Sequence, residues 1–196
     1  MEAFLGRIKD PPPTATSPAK GGEIPIDPGF RAIMFTDLKD STLMTTLYGD
    51  TKALHLLHIH NALTRNSLKA HRGREVKHTG DGIMASFTSV TDSVECAVNI
   101  QKAFAAYNKK NIETPLNLRI GLSAGEPIEE HGDLFGKAVQ LSARLCALAE
   151  PDRILVDQVV LDHWQGKDLP LSDLGEVTPK GFDHAVRVYE LKYAEV

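Results

Sequence analysis

The run Ala32-Ile33-Met34-Phe35-Thr36 constrains this chain more than any other stretch. It carries no charge and is rich in apolar side chains, so it reads as a strand entering a core. The strand ends on an acid, Asp37, and the residues after it suit a turn into a helix, with Asp40, Ser41 and Thr42 all good N-caps. A carboxylate at a strand end, followed by free backbone N–H groups at a helix start, suits a metal-bound polyphosphate. The metal takes the carboxylate and the helix N-terminus takes phosphate oxygens. An acidic turn that only caps a helix fits the same residues. What separates the two readings is the company Asp37 keeps further along.

The chain has 196 residues, enough for one domain with an arm. Hydrophobic content of 42% and charged content of 24% are those of an ordinary soluble globular protein. A formal net charge of −4 argues against broad binding to nucleic acid. No apolar run approaches the roughly 18 residues of a membrane span, and the N-terminus lacks a signal peptide's apolar core. The two cysteines, Cys96 and Cys146, lie in helix-like apolar patterns and read as small core residues in a reducing compartment, so a cytoplasmic chain is expected.

Pro11-Pro12-Pro13, Pro18, Gly21-Gly22, Pro25 and Pro28 make residues 1–29 a flexible arm or linker, with a short helical stub over Met1 to Lys9 an alternative at its start. The folded domain is expected over 30–192 and a tail over 193–196. Within the domain the first strand spans 30–37, a helix follows over 41–47, and Gly49-Asp50 breaks it before a second helix over 51–70 with Leu56, Ile59 and Leu63 as its buried stripe. His55 and His58 share a face of that helix but lack an acid or Cys at ligand spacing, so they make no metal site.

Residues 74–79 and 83–87 read as a hairpin with Asp81 at its tip, where Gly80 and Gly82 permit φ > 0 and close approach of a ligand. Regular alternation would put residues 77, 79 and 81 on one side. A helix is expected over 90–108. Leu116, Leu118, Ile120 and Leu122 then alternate with polar or small residues, as in a strand with one buried face. Residues 129–133 form a loop or hairpin arm. The helix over 136–148 should carry Val139, Ala143 and Cys146 to the core, with Gln140 and Arg144, at i and i+4, together on another face. Strands over 154–156, 171–178 and 186–191, and a short helix over 158–164, close the domain.

Asp37 and Asp81 thus sit at comparable places. If their strands are neighbours, both carboxylates reach one pair of divalent ions, and two metals about 3.5–4 Å apart suit in-line displacement at phosphorus. At this point the sequence resembles the class III nucleotidyl cyclases, the adenylate and guanylate cyclase catalytic domains. The resemblance is carried by Phe-Thr-Asp-Leu-Lys-Asp-Ser-Thr at 35–42 and Val-Lys-His-Thr-Gly-Asp-Gly-Ile-Met-Ala-Ser-Phe at 76–87. Arg-Ile-Gly-Leu-Ser-Ala-Gly-Glu-Pro at 119–127 and Gly-Asp-Leu-Phe-Gly-Lys-Ala-Val-Gln-Leu-Ser-Ala-Arg-Leu at 132–145 continue it in the family's order. The polymerase-like diguanylate cyclases also use two metals, but their Gly-Gly-Asp/Glu-Glu-Phe signature is not supplied by Thr79-Gly80-Asp81-Gly82-Ile83.

The resemblance implies an α+β fold, a ferredoxin-like core whose mainly antiparallel sheet is backed by helices. It implies a homodimer with composite active sites and two divalent cations, Mg2+ or Mn2+, as cofactors; a Lys and an Asp at the base-reading positions, matched to adenine's ring nitrogen and exocyclic amine, make ATP the expected substrate. By position Asp37, Asp81 and the Leu38 carbonyl hold the metals, and the backbone of Leu38, Lys39, Asp40, Ser41 and Thr42 lies under the phosphates. Lys77 and Asp133 read the base from the other protomer, Arg144 stabilises the transition state, Gln140 orients the ribose and Lys180 meets the polyphosphate. An upstream sensor or regulatory domain is a candidate partner. The departure is Gln140, where the family usually has Asn. The added methylene moves the amide by one carbon–carbon bond, and a misplacement near 1 Å can lower a rate by about 100-fold. An adenylate cyclase is therefore the first expectation. The alternatives are a cyclase-like nucleotide-binding module without turnover and a cyclase with another nucleotide preference.

Overall fold

The computed structural model describes residues 29–166 and 169–193. The stub over Met1 to Lys9, and the arm and tail apart from Gly29 and Tyr193, lie outside the described residues. The anticipated first strand is β1 (Arg31–Leu38), and it sits inside a seven-stranded sheet of order β2-β3-β1-β4-β7-β9-β8. Its neighbours are β3 (Ile83–Phe87) and β4 (Leu118–Gly125), both antiparallel to it. β2 (Arg74–His78) pairs with β3, and β7 (Ile154–Asp157) runs parallel to β4. β8 (Leu171–Val177) and β9 (Val186–Leu191) complete the sheet, antiparallel to their neighbours. With α1 (Ser41–Tyr48), α2 (Asp50–Ala70) and α3 (Val90–Lys110), strands β1 to β4 form the expected ferredoxin-like core.

Strand alternation sorts β1 into two faces. Ala32, Met34, Thr36 and Leu38 are each 2% exposed or less, and the apolar three join the main core with residues of α2 and α3. Ile33 and Phe35 point the other way, into a smaller cluster with Met84 and Leu134, and Asp37 follows them on that face. The opposite face is covered by α4 (Lys137–Leu148), which follows a short hairpin of β5 (Ile128–Glu130) and β6 (Asp133–Phe135). A short helix, α5 (Gln158–His163), follows β7.

Two packing expectations change. β4 is buried on both faces rather than one, because α4 lies directly on it: a Cβ added at Gly121 would stand 2.2 Å from the Cys146 nitrogen and 2.4 Å from the Ser142 carbonyl oxygen. The Ser142 hydroxyl anchors the contact, 2.8 Å from the Ile33 carbonyl and 2.9 Å from that of Gly121. The core face of α4 is accordingly Leu141, Ser142, Leu145 and Cys146, while Val139 and Ala143 are only half-buried. Small residues set the helix phase here, since backbone approach demands them directly over Gly121. Cys96 and Cys146 are core residues as expected, and burial pushes both thiols up to about 12. Among the described residues no helix is long and apolar enough to cross a membrane.

The hairpin carrying Asp81 is as anticipated, but its glycines serve different ends. Gly80 takes φ 97, in the left-handed region. Gly82 takes no positive φ; a Cβ there would lie 1.9 Å from the Thr36 carbonyl oxygen. The close approach it permits is therefore to β1. Alternation does not carry from Lys77 to Asp81, because β2 ends at His78 and the turn that holds Asp81 follows. Substituting Gly82→Ala should destabilise the domain by about 2 kcal/mol through this overpacking. A denaturant titration in which that variant unfolds at the wild-type midpoint would contradict the account.

Candidate active site

The end of β1, the start of α1 and the β2–β3 hairpin enclose a cavity of about 510 Å3. Asp37, Asp81 and Arg119 line it together with the turn Leu38 to Thr42. The expectation that the two acids reach one place is met. The seam between the elements explains why: the Leu38 N–H donates to the Asp81 carbonyl at 3.0 Å, and the Ile83 N–H to the Thr36 hydroxyl, also at 3.0 Å. The Ser41 hydroxyl donates to Asp81 Oδ2 at 2.5 Å. Asp40 occupies the N-cap position of α1, in the left-handed region at φ 59, but its carboxylate makes no capping bond. The first N–H groups of α1 are thus left without a cap from Asp40, at the end of the helix whose Ser41, Thr42 and Leu43 line the cavity.

Arg119 has no role in the residue pattern read above, yet it is central to this cavity. It stands directly opposite Asp37 in the β1–β4 register. Its Nε donates to Asp37 Oδ2 at 3.0 Å, and Nη2 bonds the same oxygen. Nη1 reaches the Ala147 carbonyl at 3.2 Å, tying the pair to α4. Burial, the largest single influence, would lower the Arg119 pKa, but the hydrogen bond to Asp37 and the attraction of nearby negative charge together outweigh it, and the guanidinium is held more firmly charged than usual. The signal in the sequence is only an Arg beginning a strand; the register that sets it across from Asp37 is tertiary.

The remaining anticipated residues form a second group. Lys77 on β2 and Asp133 at the start of β6, far apart in sequence, meet with Lys77 Nζ donating to Asp133 Oδ2 at 2.6 Å. The Asp133 carboxyl is held below its usual range by that bond first and by the Leu134 N–H second. Gln140 and Arg144 are both exposed on α4, as their spacing predicts. Arg144 Nε donates to the Lys180 carbonyl at 3.0 Å, which brings α4 to the segment before β9 and leaves the terminal guanidinium nitrogens uncommitted among the described residues. Lys77, Asp133, Gln140, Arg144 and Lys180 are all absent from the lining of the Asp37–Asp81 cavity.

Whether this cavity suits divalent cations follows from its donors. Among the described residues no three His, Cys, Asp or Glu side chains converge, so a cage made only of protein side chains is not what it offers. It offers two carboxylates. Arg119 engages one oxygen of Asp37 and Ser41 one oxygen of Asp81, and the second oxygen of each has no partner among the described residues. A hard cation such as Mg2+ is characteristically held in this way, by one or two carboxylates with water and substrate phosphate completing the shell. The donor set fits.

Comparison with known proteins identifies relatives of the chain and of its fold. An adenylate cyclase of Podospora anserina is 29% identical over 202 residues, covering 87% of this chain and 9% of its own. The chain spans two-fifths or less of the length of the first curated relatives it matches, with 40% the largest share among them. The crystal structure of an adenylate/guanylate cyclase/hydrolase from Silicibacter pomeroyi superposes with a TM-score of 0.71 at 30% identity, covering 84% of this chain and 96% of that one. The guanylyl cyclase Cya2 shares the fold, with a TM-score of 0.74 at 21% identity over 83% of this chain and 91% of its own. Residues 30–193 match the family described as the adenylate and guanylate cyclase catalytic domain, and the chain belongs to that family.

Proposed function

We propose that the domain is an adenylate cyclase, converting ATP to 3′,5′-cyclic AMP and pyrophosphate at sites shared by two copies of the chain. The observation that carries this reading is the Lys77–Asp133 pair, a donor and an acceptor held side by side. An ammonium donates to a ring nitrogen of adenine and a carboxylate accepts from its exocyclic amine. Guanine presents the reverse order and would leave buried polar groups mismatched. Cytosine shares adenine's order, so CTP is the nearest competitor. The lowered pKa of Asp133 keeps its acceptor oxygens ionised at neutral pH.

Class III cyclases generally use divalent metals, and here Asp37, Asp81 and the Leu38 carbonyl would hold two, Mg2+ or Mn2+, supplying Lewis-acid activation and charge neutralisation at phosphorus. The chain's own residues do the rest. N–H groups at the start of α1, with the Lys39-to-Thr42 turn, receive phosphate oxygens. Arg144 offers its free guanidinium nitrogens to charge developing at the α-phosphate. Gln140, one turn earlier, orients the ribose, and Lys180 meets the polyphosphate. The ribose 3′-oxygen bonds to the α-phosphorus, the bond from that phosphorus to the pyrophosphate oxygen breaks, and the 3′-hydroxyl proton passes to water or Asp37.

The division of the site residues supports the shared-site reading. Each copy contributes an acidic cavity and, elsewhere on its surface, the base-reading and transition-state groups. A homodimer joins the cavity of one copy to the second group of its partner. A sensor or regulatory domain acting on this one is the further partner implied. Gln140 favours a second reading, a nucleotide-binding module that signals without turnover.

Three outcomes are expected. Incubated with ATP, GTP, CTP or UTP and Mn2+ or Mg2+, the protein yields cyclic AMP as its main product by chromatography and mass spectrometry; turnover of another nucleotide without cyclic AMP would overturn the adenylate assignment. Asp37→Ala and Arg144→Ala are each nearly inactive, and an equal mixture recovers about a quarter of wild-type activity, since random pairing makes half the dimers mixed with one of two sites intact. No recovery, with mixed dimers demonstrated, would sink the shared site. Gln140→Asn raises kcat, by up to about 100-fold, whereas turnover no greater than that of Asp81→Ala before and after the change, with ATP binding retained in calorimetry, would favour the module without turnover.

A further inference from the structure

The turn that presents Asp81 is tied to β1 through Leu38, and a second tie runs to α2. The Gly80 N–H donates to His78 Nδ1 at 3.2 Å. His78 Nε2 lies 2.9 Å from Asn61 Oδ1, and the same oxygen lies 3.0 Å from Nδ1 of His60. His60 is fully buried on α2, with its ring edge-on to Phe104 at 5.6 Å between centroids. Its Nε2 has no hydrogen-bond partner among the described residues.

One backbone group sets the direction of every bond in this series. A peptide N–H can only donate, so His78 Nδ1 carries no proton and, in the neutral ring, Nε2 does. Nε2–H therefore donates, and the Asn61 atom facing it is the carbonyl oxygen. That oxygen can only accept, so His60 Nδ1 is protonated as well. His60 Nε2 is then a bare lone pair against the apolar interior, which accounts for its lack of a partner. Burial, the largest influence on His60, lowers its pKa and keeps it in this neutral form; the Asn61 bond acts in the opposite sense.

We infer that His78, locked in one tautomer by Asn61 and the buried His60, is a positioning residue for the Asp81 turn. α2 is anchored in the main core by Leu56 and Leu68, so the series refers the exposed hairpin tip to a rigid element. Without it the turn keeps its bonds to β1 and to the Ser41 hydroxyl, while Gly80 loses its outside tie and, as a glycine, leaves the backbone before Asp81 wide conformational freedom. The inference rests on the reading of Asp81 as a metal ligand.

Two amides separate the ring nitrogens in the test. Asn at position 78 puts an oxygen near the place of Nδ1 and keeps the acceptor for Gly80, as in an Asx turn. Gln reaches Asn61 but loses that acceptor. Mn2+ binding to the full chain is measured by electron paramagnetic resonance for wild type, His78→Asn, His78→Gln and Asp81→Ala, with thermal melts alongside. Asn falls short of Asn61, so each variant cuts one link of the series, and both should weaken Mn2+ binding about threefold to tenfold, the worth of one hydrogen bond, while melting near wild type. Equal binding by His78→Gln and wild type, with Asp81→Ala deficient, would overturn the positioning role alone. Wild-type Mn2+ binding by His78→Asn would overturn the tie to α2. Wild-type Mn2+ binding by Asp81→Ala would instead overturn the metal reading beneath it.

Discussion

The site depends on a seam barely three residues long, where the β2–β3 hairpin closes over the end of β1. Gly82 passes so near the Thr36 carbonyl that no side chain fits between them. The Leu38 N–H to Asp81 carbonyl bond and the Ile83 N–H to Thr36 hydroxyl bond fasten the two segments on either side of that approach. Asp37 and Asp81 share one cavity as a consequence. Buried peptide groups must find partners, so the seam satisfies the strand end and positions the acids with the same bonds.

Electrostatics then assigns the cavity its character. Two carboxylates in one concavity repel, and Arg119 relieves that repulsion from across the β1–β4 pair while Ser41 hydrogen-bonds the second acid. A cation, an uncapped helix N-terminus and two acids with spare oxygens make a place for a polyanion and its counter-ions together. α4 connects this cavity to the rest of the fold: its backbone receives Arg119 at Ala147, Ser142 anchors it to β1 and β4, and its outer face carries Gln140 and Arg144.

Much of this was legible in the residues. The apolar run into Asp37, the Gly49-Asp50 break, the Leu116-to-Leu122 alternation and the glycine-flanked Asp81 are local patterns, and each became the element anticipated. The i, i+4 spacing of Gln140 and Arg144 likewise put both on the outside of one helix. Where the reading missed, a distant segment had intervened. The alternation of β4 reads as one-sided because it cannot reveal that a helix lands on Gly121. Apolar spacing puts Val139 and Ala143 on the core face of α4, whereas contact with backbone selects Ser142 beside the anticipated Cys146. A glycine at position 82 suggests room for a ligand, and Thr36 takes that room.

The sequence by itself determined the element types, the two acids, the candidate base-reading and transition-state residues, and the family. These rest on periodicity and short motifs, which act over one turn or one strand. Only the tertiary structure decided that Arg119 faces Asp37, that Lys77 and Asp133 meet, that the five second-group residues leave the acidic cavity, and that His60, Asn61 and His78 brace its hairpin. The physical reason is register. Arg119 lies 82 positions from Asp37, and whether two such side chains touch is set by strand pairing and helix seating, which no local pattern encodes.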